Sequence, residues 1–346
     1  MTKQIFKQGV GLDISKDTFA ACFGQRQVDQ AFRIMSSKSF KSTASAFEQF
    51  DKWIQKHRQG EVPLHFLMEA TGVYYEELAY FLNAKGYRVT VLLPNKTAAF
   101  CKSLDYKSKT DKIDAQKLAQ MSVERDLPKW EPPSEQILKI KRLCRERAEL
   151  MDTLAAFKNR RHAKKHAYNP LPASLSRSQK LLNFMQKQVA EIEREVAQLV
   201  KLDDFLRPRI EQVCSITGVG FITAITVVAE TNAFELFKSK AQLVCYAGYD
   251  VIQRQSGTSI QGQTKISSKG NHRIRKALYF PALTAVKHDA NFKALYLRVM
   301  GRTQIKMKAY VAVQRKLLVL IYSIFKSNQP YDPKFVSVKK TLPQQK

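Results

Sequence analysis

The sequence predicts an α/β domain at the N-terminus, a helical hairpin or coiled coil in the middle, and a mainly helical C-terminal domain with a helix-hairpin-helix-like turn. Three observations carry that prediction. Short apolar runs alternate with helix-like stretches through residues 9–127. A long Lys/Arg-rich helical pattern breaks at Asn169-Pro170-Leu171-Pro172 and gives way to a second pattern with heptad spacing. Beyond residue 207, Gly-containing turns interrupt further helical stretches, and at 346 residues the chain is long enough for more than one core. The expected boundaries are 1–128, 129–206 and 207–330, with a tail over 331–346.

In the first segment, residues 10–13, 18–23 and 32–35 read as three consecutive strands. Ser42 or Thr43 caps a helix running to about His57. Residues 64–68 form a buried strand, 73–85 a helix stopped by Gly86, and 88–93 a strand closed by Pro94. Residues 96–104 and 112–122 are helical. The order βββαβαβα is that of an RNase H-like fold, which places the ends of the first and fourth strands side by side.

Four carboxylates occupy the sensitive places in this scheme. Asp13 ends Val10-Gly11-Leu12-Asp13, and Glu69 ends Leu64-His65-Phe66-Leu67-Met68-Glu69. Asp111 and Asp114 lie three apart in a helix-like stretch and so share one face. Like charges brought together repel unless a cation sits between them. Hard oxygen ligands suit Mg²⁺ or Mn²⁺, and carboxylate clusters holding such ions serve phosphodiester chemistry.

Trp130-Glu131-Pro132-Pro133 reads as a linker. The helical pattern over 135–166 carries ten Lys/Arg between Lys139 and Lys165, Arg160 and Arg161 among them, and its lopsided charge suits phosphate contact. Leu182, Met185, Val189, Ile192, Val196 and Leu199 follow at 3-4-3-4-3 spacing, a seam that fits either a hairpin packed on its own chain or a dimerising coiled coil. Gly218 and Gly220 in Thr217-Gly218-Val219-Gly220 form either a plain tight turn or a helix start presenting bare N–H groups to a phosphate. Residues 251–316 hold fourteen Lys/Arg, including Lys265, Lys269, Arg273 and Arg275, against the single acid Asp289. Ser256 lies there in Gln255-Ser256-Gly257-Thr258, and composition alone does not separate it from Thr258, Ser259, Ser267 and Ser268.

Lys+Arg totals 58 against Asp+Glu 30, a net charge of +28, which a solvated surface does not need and which implies a nucleic-acid partner. The longest late apolar run, over 317–325, is too short to span a bilayer, so no membrane association is expected. Five cysteines without metal-finger spacing read as buried thiols of a reducing bacterial cytoplasm. His162 and His166 lie among Arg160, Arg161, Lys164 and Lys165, which would repel a metal ion.

The motifs together resemble the insertion-sequence transposases that carry an Asp-Glu-Asp-Asp RuvC-like domain and a serine-bearing transposase domain, to which pilin-gene DNA invertases are similar. The matching segments run in order along nearly the whole chain: Gly11-Leu12-Asp13-Ile14-Ser15-Lys16, Met68-Glu69-Ala70-Thr71-Gly72, Lys109-Thr110-Asp111-Lys112-Ile113-Asp114-Ala115, Thr217-Gly218-Val219-Gly220, Tyr246-Ala247-Gly248, Gln255-Ser256-Gly257 and Ser268-Lys269-Gly270-Asn271. Tyr249 and Asp250 depart from the more apolar, Pro-containing stretch expected there. The resemblance implies Mg²⁺ on Asp13, Glu69, Asp111 and Asp114, and Ser256 as a nucleophile that links covalently to DNA. It further implies a structured bridge RNA that pairs with donor and target DNA, and a tetramer, a dimer of dimers, with sites shared between protomers. Two rival readings remain: a junction-resolvase-like nuclease using the same carboxylates with water, and a non-catalytic basic nucleic-acid-binding protein.

Overall fold

The protein is described here by a computed structural model covering residues 5–104, 108–235, 237–252, 255–256, 260–261, 265–267 and 270–334. The chain divides into two compact units, Met1–Pro132 and Pro133–Lys346.

The first unit is built on a five-stranded sheet of β1 (Ile5–Ile14), β2 (Thr18–Gln27), β3 (Phe32–Lys41), β4 (Leu64–Glu69) and β5 (Arg88–Leu92). Its order is β3-β2-β1-β4-β5. The first three strands pair antiparallel, and β1–β4 and β4–β5 pair parallel. That is the arrangement of an RNase H-like domain, as the strand order predicts. Strand β3 runs on to Lys41 because its polar run Ser36-Ser37-Lys38-Ser39 pairs with β2 along an edge, where one side faces solvent.

One face of the sheet is covered by α1 (Ala44–His57) and α2 (Glu76–Ala84). Helix α1 starts where the Thr43 hydroxyl accepts a bond from the Ala46 N–H at 3.4 Å. Its apolar stripe of Phe47, Phe50 and Ile54 meets Phe19, Phe23 and Phe66 from the strands. Phe50 and Phe66 are fully buried, each contributing about 1.5–3 kcal/mol. Helix α2 begins three residues later than the sequence suggests, because Gly72 adopts φ +59° and residues 72–75 form turns first. The other face carries α3 (Pro94–Ser103) and α4 (Asp111–Glu124).

The second unit is mainly helical. Helices α5 (Glu135–Lys165) and α6 (Pro172–Lys201) form an antiparallel hairpin, followed by α7 (Leu206–Cys214), α8 (Phe221–Glu230) and α9 (Lys240–Ala247). Four two-residue strands then form a small arm, with β6 (Val251–Ile252) paired to β9 (Lys265–Ile266) and β7 (Gln255–Ser256) to β8 (Ile260–Gln261). Helices α10 (His272–Ala277), α11 (Tyr279–His288), α12 (Ala290–Thr303) and α13 (Lys306–Ser327) complete it. The heptad seam is spent within the chain: Leu182, Met185 and Val189 pack on Leu154 of α5, while Ile192 and Val196 join the large core of α7–α13. Among the described residues no helix is long and apolar enough to cross a membrane.

Candidate active site

Alternation along β1 explains how the carboxylates meet. Val10, Leu12 and Ile14 enter the core beneath α1 and α2, so Gly9, Gly11 and Asp13 face the opposite side. Helix α4 lies directly on that side. A Cβ at Gly11 would overlap the Ala115 carbonyl and the Ala119 nitrogen, and one at Gly9 would come within 2.6 Å of Val123 Cγ1. Only glycine admits the helix at this distance. The small residues Ala20, Cys22, Ala115 and Ala119 fill the thin layer between helix and sheet.

Asp13, two residues beyond Gly11, therefore faces the start of α4. Asp111 is the first residue of that helix and Asp114 lies one turn further, after an N-cap in which the Thr110 hydroxyl accepts from the Ile113 N–H at 3.3 Å. Leu12 of β1 pairs with Met68 of β4, so Asp13, next to last on β1, and Glu69, the last residue of β4, lie on neighbouring strands. Leu67, on the same face as Glu69, packs on Leu118 and Met121 of α4. Glu69 accepts a hydrogen bond from the Thr97 hydroxyl of α3.

The electrostatics register this gathering. Asp13 is pushed up to about 6, first by burial and then by the charges of Asp111, Asp114 and Glu69, with Lys109 acting the other way. The four groups are thus within electrostatic reach of one another. Among the described residues, however, no three His, Cys, Asp or Glu side chains already stand in ion-holding geometry. Asp114 instead accepts from Lys117 Nζ at 2.9 Å, and Glu69 is turned to Thr97. Four carboxylates are a donor set of the kind that suits a hard divalent cation.

In the second unit, Ser256 lies on β7 with its backbone opposite Ile260, and its side chain is outside the described residues. Lys269 is also outside them, and Lys265 on β9 is exposed. Gly218 adopts φ +90° against the Pro281 carbonyl, which a Cβ would approach to 2.7 Å, so backbone geometry accounts for it; Gly220 is the N-cap of α8. Arg160 is exposed and lies over the Phe157 ring at 5.3 Å, with Arg161 half-buried beside it. Arg275 donates to the Ala247 carbonyl at 2.7 Å, and Arg273 lies 3.7 Å from Glu149 and 4.0 Å from Glu230.

Residues 10–170 match the DEDD-domain family of IS110 elements, described as Transposase, and residues 210–297 match the Transposase IS116/IS110/IS902 family. The chain belongs to this transposase family. The pilin gene-inverting protein of Moraxella bovis is 28% identical over 327 residues, 94% of this chain and 98% of that protein. The transposase for insertion sequence element IS1111A of Coxiella burnetii is 23% identical over 352 residues, 93% of this chain and 90% of its own. Among solved structures, T. thermophilus RuvC in complex with a Holliday junction substrate matches at a TM-score of 0.24 and 12% identity, covering 33% of this chain and 90% of that one.

Two features of the transposase are absent from the sequence reading. One is the Gly9–Gly11 contact that seats α4; a glycine pair inside a strand was the available signal. The other is Glu230, which is 2% exposed at the end of α8. It accepts two bonds from Arg145 of α5, at 2.7 and 3.0 Å, and one from Asn271 at 2.8 Å. Asn271 also caps α10, and Gly270 beside it touches the Gly248 backbone so closely that no Cβ fits. This network fixes both ends of the arm that carries Ser256.

Proposed function

We propose that the transposase cuts and rejoins DNA strands with a divalent cation held by Asp13, Glu69, Asp111 and Asp114, with Ser256 as nucleophile and a structured RNA as guide. The observation that carries the reading is the raised Asp13, because Asp111, Asp114 and Glu69 lie near enough to favour its acid form even with Lys109 acting the other way. A bound Mg²⁺ or Mn²⁺ would neutralise the scissile phosphate and stabilise charge on the attacking and leaving oxygens. Ser256 Oγ would give up its proton and form a bond to phosphorus as the bond to the leaving strand oxygen breaks, and that oxygen would take a proton. Attack by the hydroxyl of the new strand would reverse these changes and free the serine. A phosphoserine link conserves the phosphodiester energy, so rejoining needs no nucleotide cofactor. The guide RNA is supported by the net charge of +28 and by the basic tip of α5, since base pairing can read a sequence while the protein holds the backbone.

Along the chain the whole hairpin lies between the carboxylates and Ser256, and on this proposal Ser256 acts in a site completed by a second copy within a dimer of dimers. The test is a denaturing-gel assay for a protein–DNA adduct. Wild type should form it with Mg²⁺ and not in EDTA, Ser256→Ala should not form it, and a mixture of Ser256→Ala with Asp13→Asn should recover part of it. Cleavage without any adduct would transfer the nucleophile's role to water. RNase treatment that leaves site choice unchanged would remove the guide.

A further inference from the structure

We infer that α9, α12 and α13 form a separate nucleic-acid site, a groove that takes a single-stranded DNA segment by its phosphates. A concavity of about 460 Å³ lies between these helices, and Lys240, Arg298, Arg315 and Lys316 border it with no carboxylate in its lining. All four cations are exposed, whereas Val244, Leu295 and Val319 sit deeper as buried or half-buried side chains. The groove therefore has a cationic rim and an apolar floor.

Other cations of the unit are neutralised within the chain. Arg145, Arg147, Lys139 and Lys276 each meet a carboxylate: Glu230, Glu193, Glu195 and Asp152. Among the described residues none of the four groove cations has an ion pair or a side-chain hydrogen bond. Four like charges held around one hollow without a counter-charge suit an anion from outside, and a strand of phosphates supplies several at once. A duplex would rest on the rim and leave the apolar floor unused. A single strand can lay a sugar or an unpaired base on it while the rim tracks the backbone.

The groove also adjoins the root of the serine arm. Gln314, the residue before Arg315, accepts a bond from the Tyr249 hydroxyl at 3.0 Å, and Gly248 closes α9. The helices that line the groove thus hold the place where the arm begins. The inference rests on the reading that the substrate is DNA, but it requires neither cleavage nor Ser256.

Fluorescence anisotropy with the full-length protein in EDTA tests it without any chemistry. The probes are a labelled oligo-dT, an oligo-U and a DNA duplex of equal length, each titrated across a salt series. Arg298→Ala/Arg315→Ala/Lys316→Ala should weaken oligo-dT binding and reduce its log–log salt slope by about 2, given roughly 0.7 per single-strand phosphate contact. The duplex slope should fall by less. Each single substitution should lower the oligo-dT slope by about 0.7, which keeps the test available if the triple variant misfolds. Arg298→Lys/Arg315→Lys should restore the slope. An unchanged slope, an equal loss in the control Lys52→Ala/Lys56→Ala/Arg58→Ala on α1 and its end, or a loss confined to oligo-U would overturn the assignment.

Discussion

Asp13 and Glu230 are both carboxylates withdrawn from water, and the fold treats them in opposite ways. Asp13 is half-buried at the end of β1, and the charges nearest to it are more carboxylates, so its acid form is favoured up to about 6. Glu230 is more deeply buried, and burial alone would raise it. The two bonds from Arg145, its charge and the bond from Asn271 outweigh that, and the group stays below the usual carboxylate range. A charge the chain neutralises itself holds the fold together. A charge it leaves among like charges is the one to test for a ligand from outside. Substitutions can break the comparison.

The largest effect is expected at the unbalanced member. Asp13→Asn should lower DNA cleavage by roughly 10³-fold, the equivalent of the several kcal/mol a metal centre supplies. Its unfolding midpoint in EDTA should stay at or above that of the parent, because the change relieves repulsion. Cleavage assays and urea denaturation read the two quantities separately. A variant that loses stability along with activity would make Asp13 a structural residue like Glu230.

At the balanced member the pattern inverts. Glu230→Gln leaves Arg145 without its counter-charge and should cost about 3 kcal/mol, the low end for a broken buried pair because the Arg145 side chain is 37% exposed. Glu230→Gln/Arg145→Met should recover part of that loss. Unchanged stability in Glu230→Gln would erase the contrast with Asp13.

Gly11→Ala probes what brings the carboxylates together. The added methyl meets backbone of α4 rather than a flexible side chain, so overpacking should destabilise the unit by about 3 kcal/mol. It should also move Asp111 and Asp114 away from Asp13 and depress cleavage beyond what the stability loss explains. Full cleavage at a temperature where the variant is folded would show that α4 need not be seated so tightly.

How much of this was legible in the sequence follows from the range of each interaction. The strand order was legible because every strand carries its own apolar run, and the expectation that Asp13, Glu69, Asp111 and Asp114 share a site came from strand ends and an i, i+3 spacing. The heptad seam was legible as a buried stripe, but its partner was not, because the same stripe suits α5 or a second copy. The Glu230–Arg145 pair joins residues 85 apart, and nothing local distinguishes that glutamate from a solvated one. The groove draws its cations from three helices, so its charge reads only as part of a basic composition. Ser256 was separable from its neighbours only through the resemblance.

The smallest effect sharpens the comparison through a second buried group of the first unit. His65 lies on β4 with Nε2 2.9 Å from the Thr90 hydroxyl, and it is pushed down to about 4, by burial first and then by Arg88. Its other charged surroundings are Lys7, which lowers it further, and Asp126, which raises it. Between pH 4 and 6.5 the unfolded chain binds this proton and the folded chain does not, so stability rises with pH across that window. The contribution is complete above 6.5 and lost as pH falls through 4. Asp13 has the opposite sign, since its raised value makes the folded state the better proton binder between 3.8 and about 6. In EDTA the two slopes oppose each other in the parent. Asp13→Asn should unmask the histidine, giving a gain of about 2 kcal/mol between pH 5 and 7. Asp13→Asn/His65→Gln should be flatter over the same range, measured as the urea midpoint at each pH. Identical profiles for the single and double variants would mean that His65 titrates alike in the folded and unfolded chain, leaving Asp13 as the buried group whose unbalanced environment sets the pH response of this unit.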